Sequence, residues 1–420
     1  MDITEIVTRL VLQLAIILVA AKIGGEVAER VFKQPSVLGE LVAGMIIGPF
    51  ALGGVSFPIL GSLFEHASSA TAFPEDNSEL YAVAQIGSVV LLFRAGLETD
   101  FRQFVRYGGP AAVIATGGLL LPFFLGASAT VLMGFAHGFT DPVALFMGAI
   151  MTATSVGITA RVLSDIGKID TPEGVSVLAA AVIDDVLGIL VLTVVVGIAE
   201  SGGVSAAQVL VVGAKAIGFW LGLLAIGVLV ARRVSGLLLG FRGSGASLAL
   251  ALALGFLSAA LAESFGLAMI IGAYSMGLAL STTQLRTRLE EAIGGVDHVL
   301  VPIFFVFMGM LVDFSAMRLA LAFGLVISAL AIVSKIVGCG LPSLCLGFNK
   351  IGALRIGIGM LPRGEVALIV AGVALTRGIV GSDIFGVAIM MTVVTTVLAP
   401  ILLVPAFKGS QSGRRKQNAA

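Results

Sequence analysis

Apolar runs of about twenty residues follow one another along almost the whole of this 420-residue chain, and no other feature restricts its fold as much. A bilayer core about 30 Å thick takes roughly 20 residues of helix per crossing. In hydrocarbon, only helices and closed barrels satisfy their own backbone groups. The two-residue alternation of a barrel strand is absent, so the runs predict an all-α polytopic membrane protein. Thirteen candidate spans emerge: 5–29, 36–54, 80–99, 109–134, 141–165, 172–198, 204–231, 245–262, 265–283, 293–311, 316–346, 351–375 and 384–407. Charged residues form only 12% of the chain, about half the share in a soluble domain, as expected where lipid is the main solvent.

Charge placement orients the spans. With the N-terminus outside, eighteen Lys and Arg residues fall on the cytoplasmic side, in loops, at span ends and in the tail. Only Arg9, Arg318 and Arg377 fall outside, and Arg94, Lys215, Lys335 and Arg363 lie within spans. This asymmetry predicts an odd number of crossings, N-terminus out and C-terminus in, in a cell's inner (plasma) membrane. The first run follows an acidic start, MDITEI, and is too long for a signal-peptide core, so it is expected to stay as a helix. The formal net charge is zero, which offers no field for nucleic acid. Cys339 and Cys345 have no metal-ligand spacing and read as small apolar side chains.

A weak internal repeat is visible. The third span ends LLFRAGLETDF (91–101) and the tenth ends FVFMGMLVDF (305–314). Gly39 and Gly44 in the second span are spaced like Gly272 and Gly277 in the ninth. The charge-derived topology gives the third and tenth spans opposite directions, the mark of an inverted repeat. It would pair spans 1–6 with 8–13 and leave the seventh as a linker.

Ionisable residues inside spans are disfavoured by about 2.5–3.5 kcal/mol each on insertion scales, so they are the first candidates for function. Asp184 and Asp185 stand mid-span in AAAVIDDVLGIL (179–190). Neighbours on a helix point about 100° apart, so the two carboxylates address different surroundings. Desolvation penalises the charged carboxylate and a bound cation restores it, the requirement for a site that trades protons for metal ions. Lys335, in ALAIVSKIVGCG (329–340), needs a counter-charge. Asp184 is the chosen partner, leaving Asp185 for the ion; a static pair that only orders the core is the alternative. In and just before ATSVGITARVL (153–163), Thr152, Thr154, Ser155 and Thr159 crowd around Gly157. This low helix propensity suits either an unwound segment offering oxygen ligands or a plain helix with packed hydroxyls. GMLPRGEVALIVAG (359–372) carries Pro362 and Gly364 with Arg363 and Glu365 between apolar halves. Two interrupted spans at corresponding places point to a transporter site, with Arg363 and Glu365 balancing helix ends or each other. Arg94 and Glu98 are spaced to pair along one helix. The GRRKQ tail (413–417) reads as a short cytoplasmic anchor.

The segments QPSVLGELVAGMIIGP (34–49), LLFRAGLETD (91–100), ATSVGITARVL, AAAVIDDVLG (179–188), SKIVGCG (334–340) and LPRGEVALIVAGVAL (361–375) resemble the monovalent cation:proton antiporter-2 family. The likeness is nearest to its bacterial NapA-type Na⁺/H⁺ antiporters. The resemblance implies thirteen helices with two crossed, discontinuous ones. It implies a dimerisation domain of 1–107 and 245–312 and a core ion-transport domain of 108–198 and 316–408. A linker helix at 199–233 and a tail at 409–420 complete it. It also implies a homodimer in the lipid bilayer, elevator-like movement, and no cofactor beyond the transported ions. By motif, Asp185, Thr154 and Ser155 would hold Na⁺, with Thr152 beside them. Asp184 would pair with Lys335, and Arg363 and Glu365 would compensate the broken helix. An Asp–Asp pair looks like an electrogenic Na⁺ (or Li⁺)/H⁺ exchanger, with K⁺/H⁺ exchange, a gated cation channel and a Na⁺-coupled symporter as alternatives. No nucleophile–base constellation argues for an enzyme. Arg94 departs from the apolar residue expected in that motif.

Overall fold

The computed structural model describes residues 3–54, 56–57, 61–62, 64, 76–201, 206–239, 245–319, 321–409 and 411–415. Its helices are α1 (Ile3–Arg30), α2 (Ser36–Ile47), α3 (Ser78–Glu98), α4 (Phe101–Leu132), α5 (Pro142–Thr152), α6 (Val156–Asp165), α7 (Pro172–Ser201) and α8 (Ala206–Leu239). They continue with α9 (Ala246–Ser264), α10 (Met269–Leu280), α11 (Arg286–Met310), α12 (Phe314–Leu319), α13 (Leu321–Cys345), α14 (Lys350–Gly359), α15 (Glu365–Thr376) and α16 (Ser382–Phe407). Among the described residues, eleven helices, with α5 and α6 taken as one, are long and apolar enough to cross a membrane. Sequence patterning counts thirteen. The two others are short for physical reasons. Gly266, at φ 77°, closes a turn that delays the start of α10. Pro362 and Gly364 sit in a non-helical stretch that separates α14 from α15.

Two groups of helices pack separately. In the first, α2 is gripped by α1 and α11, and α10 by α9 and α3. Glycines set these approaches: a Cβ on Gly39 would overlap the Gly24 carbonyl of α1, and one on Gly44 the Val306 carbonyl of α11. One on Gly272 would overlap the Ser258 carbonyl of α9, and one on Gly277 the Phe93 carbonyl of α3. The equivalently spaced glycine pairs thus make equivalent contacts, each helix seated between one neighbour of its own triplet and one of the other. Close backbone approach replaces hydrophobic burial as the source of helix association in lipid. The second group joins α4, α7, α13 and α16 to the interrupted pairs α5/α6 and α14/α15. Helix α8 touches both α7 and α10. Val7, Val11, Val19 and Ile23 of α1, and Leu210, Ile226 and Leu229 of α8, face outward, as expected of lipid-facing helices.

Residues 411–415 of the C-terminal segment pack against the helix ends. The guanidinium of Arg414 stacks over Tyr107 and Phe348, at 4.6 and 4.9 Å from the ring centres. The Asn349 side-chain amide donates to the carbonyls of Ser412 and Arg414. Arg355, 2.8 Å from Glu173, also donates to the Ala406 and Gln411 carbonyls. Residues 411–414 are therefore bound across the loop ends of α4, α7, α13 and α14.

Candidate functional site

The two interruptions lie against each other and satisfy each other's backbone. Helix α5 starts at Pro142 with Asp141 capping the Val143 amide, and ends at Thr152. Residues 153–155 are non-helical, as are 361–364. The Ser155 amide donates to the Pro362 carbonyl at 2.7 Å. Arg363, fully buried, donates from Nη1 to the carbonyls of Thr152 and Ala153 at the end of α5. A guanidinium at a helix C-terminus meets both its orphan carbonyls and the negative end of its dipole. In return, the Thr396 hydroxyl donates to the Arg363 carbonyl, and the Thr159 hydroxyl to the Gly359 carbonyl at 2.6 Å. Broken backbone at this depth persists because protein groups replace the missing ladder. Gly364 keeps this approach open, since a Cβ there would lie 2.8 Å from Ser155 Oγ.

Asp184 and Asp185 lie on α7 beside these breaks, 3% and 8% exposed. Lys335 Nζ of α13 is 3.1 Å from Asp184 Oδ2, and the lysine is wholly buried. Asp184 Oδ1 has no hydrogen-bond partner among the described residues. Both carboxylates line a cavity of about 270 Å³ together with Thr152, and Tyr81 and Gln85 of α3 form part of its opposite wall. Of the three hydroxyl residues expected near the ion, only Thr152 borders this cavity, and its hydroxyl is turned to the Ala149 carbonyl at 2.7 Å. Thr154 and Ser155 line a separate pocket of about 10 Å³ with Ser88 and Leu92 of α3. Thr154 Oγ1 is buried there without a hydrogen-bond partner among the described residues. Glu365 heads α15, and its side chain lies outside the described residues.

Asp297 and the ion pairs that it makes escaped the sequence reading. Asp297 of α11 is fully buried and accepts from Arg94 Nη1 at 2.6 Å and Arg161 Nη1 at 2.9 Å. Arg94 also reaches Glu98 at 2.8 Å, the local pairing the spacing suggested. Glu40 is buried in α2 with Oε2 unpartnered among the described residues. An acidic residue inside an apolar run was signal enough for Asp297, but its partners lie far away in sequence.

Residues 14–409 match the family described as sodium/hydrogen exchanger, transmembrane. The chain belongs to this family. Similar members include the high-affinity Na⁺/H⁺ antiporter NhaS3 of Synechocystis, 34% identical over 97% of this chain and 91% of that protein. The Na⁺/H⁺-K⁺ antiporter GerN of Bacillus cereus is 32% identical over 93% of this chain and 94% of that protein. The solved structure of the sodium proton antiporter MjNhaP1 from Methanocaldococcus jannaschii has the same fold, with a TM-score of 0.72 at 21% identity. The match covers 98% of this chain and 99% of that one. This sodium/hydrogen exchanger is a multi-pass membrane transporter of the monovalent cation:proton antiport class, not an enzyme, and the ions it moves are substrates rather than cofactors.

Proposed function

We propose that this chain exchanges Na⁺ or Li⁺ for protons at Asp184 and Asp185, by elevator-type alternating access. The observation that carries the reading is two adjacent buried carboxylates, one paired to Lys335 at 3.1 Å, both opening on one cavity beside two interrupted helices. Asp185 holds the cation directly. Carbonyls freed at the break after Thr152 complete its shell, and Thr154 and Ser155 join when the small pocket and the cavity merge. Arg363 keeps the break open, and Glu365 balances its charge. Helices α10 and α14/α15 complete thirteen crossings, with α5/α6 and α14/α15 crossing at their breaks. The group containing α4–α7 and α13–α16 is the moving core. The group containing α1–α3 and α9–α11 is the static frame and the homodimer contact, and α8 links the two. The Lys/Arg bias puts the N-terminus outside in a cell's inner membrane, which makes the cavity outward-facing: Tyr81 begins α3 and Gly266 ends the α9–α10 turn on that side.

Charge counting fixes what the pair must do. With Asp185 protonated and the Asp184–Lys335 pair intact, the site is neutral. Replacing that proton by Na⁺ leaves it neutral, so an intact pair gives one-for-one, electroneutral exchange. Electrogenic exchange of two protons requires Lys335 or Asp184 to release a second proton as Na⁺ binds, so that the pair breaks and re-forms in every cycle. An empty, doubly charged site crossing an apolar barrier is strongly disfavoured, and this penalty enforces coupling.

The test is cation-driven proton flux in proteoliposomes, scanning Na⁺, Li⁺ and K⁺ at clamped and varied membrane potential. Flux with Na⁺ or Li⁺ that responds to potential is expected, with Asp185→Asn folded but inactive. Wild-type exchange in that variant would sink the site assignment. A K⁺-selective flux would favour the second reading, K⁺/H⁺ exchange, to which the relative named for both Na⁺ and K⁺ lends support. Conductance or solute uptake without proton flux would favour a channel or symporter.

A further inference from the structure

The space between the two helix groups changes along α3. At Tyr81 and Gln85 it is the 270 Å³ cavity. About two turns further, at Ser88 and Leu92, it narrows to a pocket of about 10 Å³. At Arg94 and Glu98 it is again no more than a pocket of about 10 Å³, and Arg161 of α6 spans it to Asp297. Among the described residues, the side-chain bonds that cross between the groups at this end include Asp297 of α11 to Arg161 of α6 at 2.9 Å, and Glu98 of α3 to the Ser164 hydroxyl of α6 at 2.7 Å. A long Arg161–Ser36 contact at 3.5 Å adds little.

We propose that Arg94, Asp297 and Arg161 form a reversible latch that holds the core group against the frame at the end opposite the open cavity, and that Arg94 is the residue that makes the latch releasable. The inference rests on the alternating-access reading above. A buried Asp297 that lost its only cation would be stranded, and stranding a buried charge is strongly destabilising. Here neither side is stranded. When the core departs, Asp297 keeps Arg94, a neighbour within its own group at 2.6 Å, and Arg94 also keeps Glu98 at 2.8 Å. Arg161 leaves with Asp165, its partner on the same helix at 3.2 Å. Arg286 donates to the Glu98 carbonyl at 2.8 Å and further fixes the frame side. Opening thus gives up the shared Asp297–Arg161 bond and the Glu98–Ser164 bond and leaves both arginines paired. This gives Arg94 the role that its departure from the family motif left open.

Cysteine reporters read the latch without requiring transport. In a Cys345→Ser background, with Cys339 buried, Ala160→Cys reports the sealed end and Leu192→Cys the open cavity. Both are labelled with a soluble maleimide on the purified full chain in detergent. Asp297→Asn is expected to speed labelling at position 160 roughly tenfold, the worth of one charge-assisted hydrogen bond, and to slow it at position 192. Ser164→Ala, which strands no charge, should shift both rates the same way by a smaller factor, and decides the matter alone if the first variant does not fold. Unchanged rates at both reporters in the folded variants overturn the latch, even if Na⁺-driven exchange is normal. Shifted rates with no exchange by the wild type sustain the latch and overturn the transport reading instead.

Discussion

Among the described residues, Lys335 has one hydrogen-bonded side-chain partner, Asp184 at 3.1 Å, and both are buried to within 3%. Removing one member of such a pair leaves the other's charge stranded, at about 3–5 kcal/mol, whereas removing both is far milder. Lys335→Met is therefore expected to lower the thermal midpoint in detergent steeply. Asp184→Asn with Lys335→Met should recover most of the loss. Additive losses in the double variant would show that the two side chains do not share one interaction. These residues were legible because an ionisable group in an apolar run stands out. Partner choice was legible for Asp184 because a buried ammonium must find a carboxylate. It was not legible for Asp297, which has two arginine partners from α3 and α6. Nor could sequence say that Thr154 and Ser155 would face the small pocket rather than the carboxylate cavity, since that depends on the path of three non-helical residues.

Among the elements, both interruptions were readable from Pro362, Gly364 and the poor helix formers around Gly157, because these residues act locally on the backbone. What closes the breaks was not readable, since Arg363, Thr159 and Thr396 satisfy carbonyls on other segments. The glycine spacing of α2 and α10 was visible, but its meaning needed the partners: in each helix one glycine meets a carbonyl of the same triplet and the other a carbonyl of the opposite triplet. This predicts a sign reversal. Gly to Ala inside an unobstructed helix stabilises by about 0.8–1 kcal/mol. Gly294→Ala in α11, where an added Cβ meets nothing within 4 Å, should raise the thermal midpoint or leave it unchanged. Gly277→Ala should lower it, because its Cβ would drive α10 off the Phe93 carbonyl. Stabilisation by both would mean that helix propensity, not close approach, governs the α3–α10 contact.

For the whole molecule, the decisive quantity is which end of the fold meets which side of the membrane, because it converts an open cavity and a sealed end into outside and inside. Positive charge supplies the proposed orientation: with the N-terminus outside, the basic loops and the tail would fall on the side of the latch and away from the cavity. The native cysteines make this testable without any substitution. Cys339 is buried, and Cys345 is exposed at the end of α13, one turn before the loop that binds the tail. That end of α13 shares its side with Arg355, Arg414 and Lys350, so the charge rule places Cys345 on the cytoplasmic face. A membrane-impermeant maleimide is therefore expected to leave the wild-type chain unmodified in intact cells and to modify one site per chain in inverted vesicles. Leu192→Cys with Cys345→Ser should show the opposite pattern, reacting from outside through the cavity. If Cys345 reacted in intact cells and Leu192→Cys only in inverted vesicles, the chain would be inverted and the cavity cytoplasmic. The Asp297 latch would then be the external seal, with its chemistry unchanged and its side exchanged.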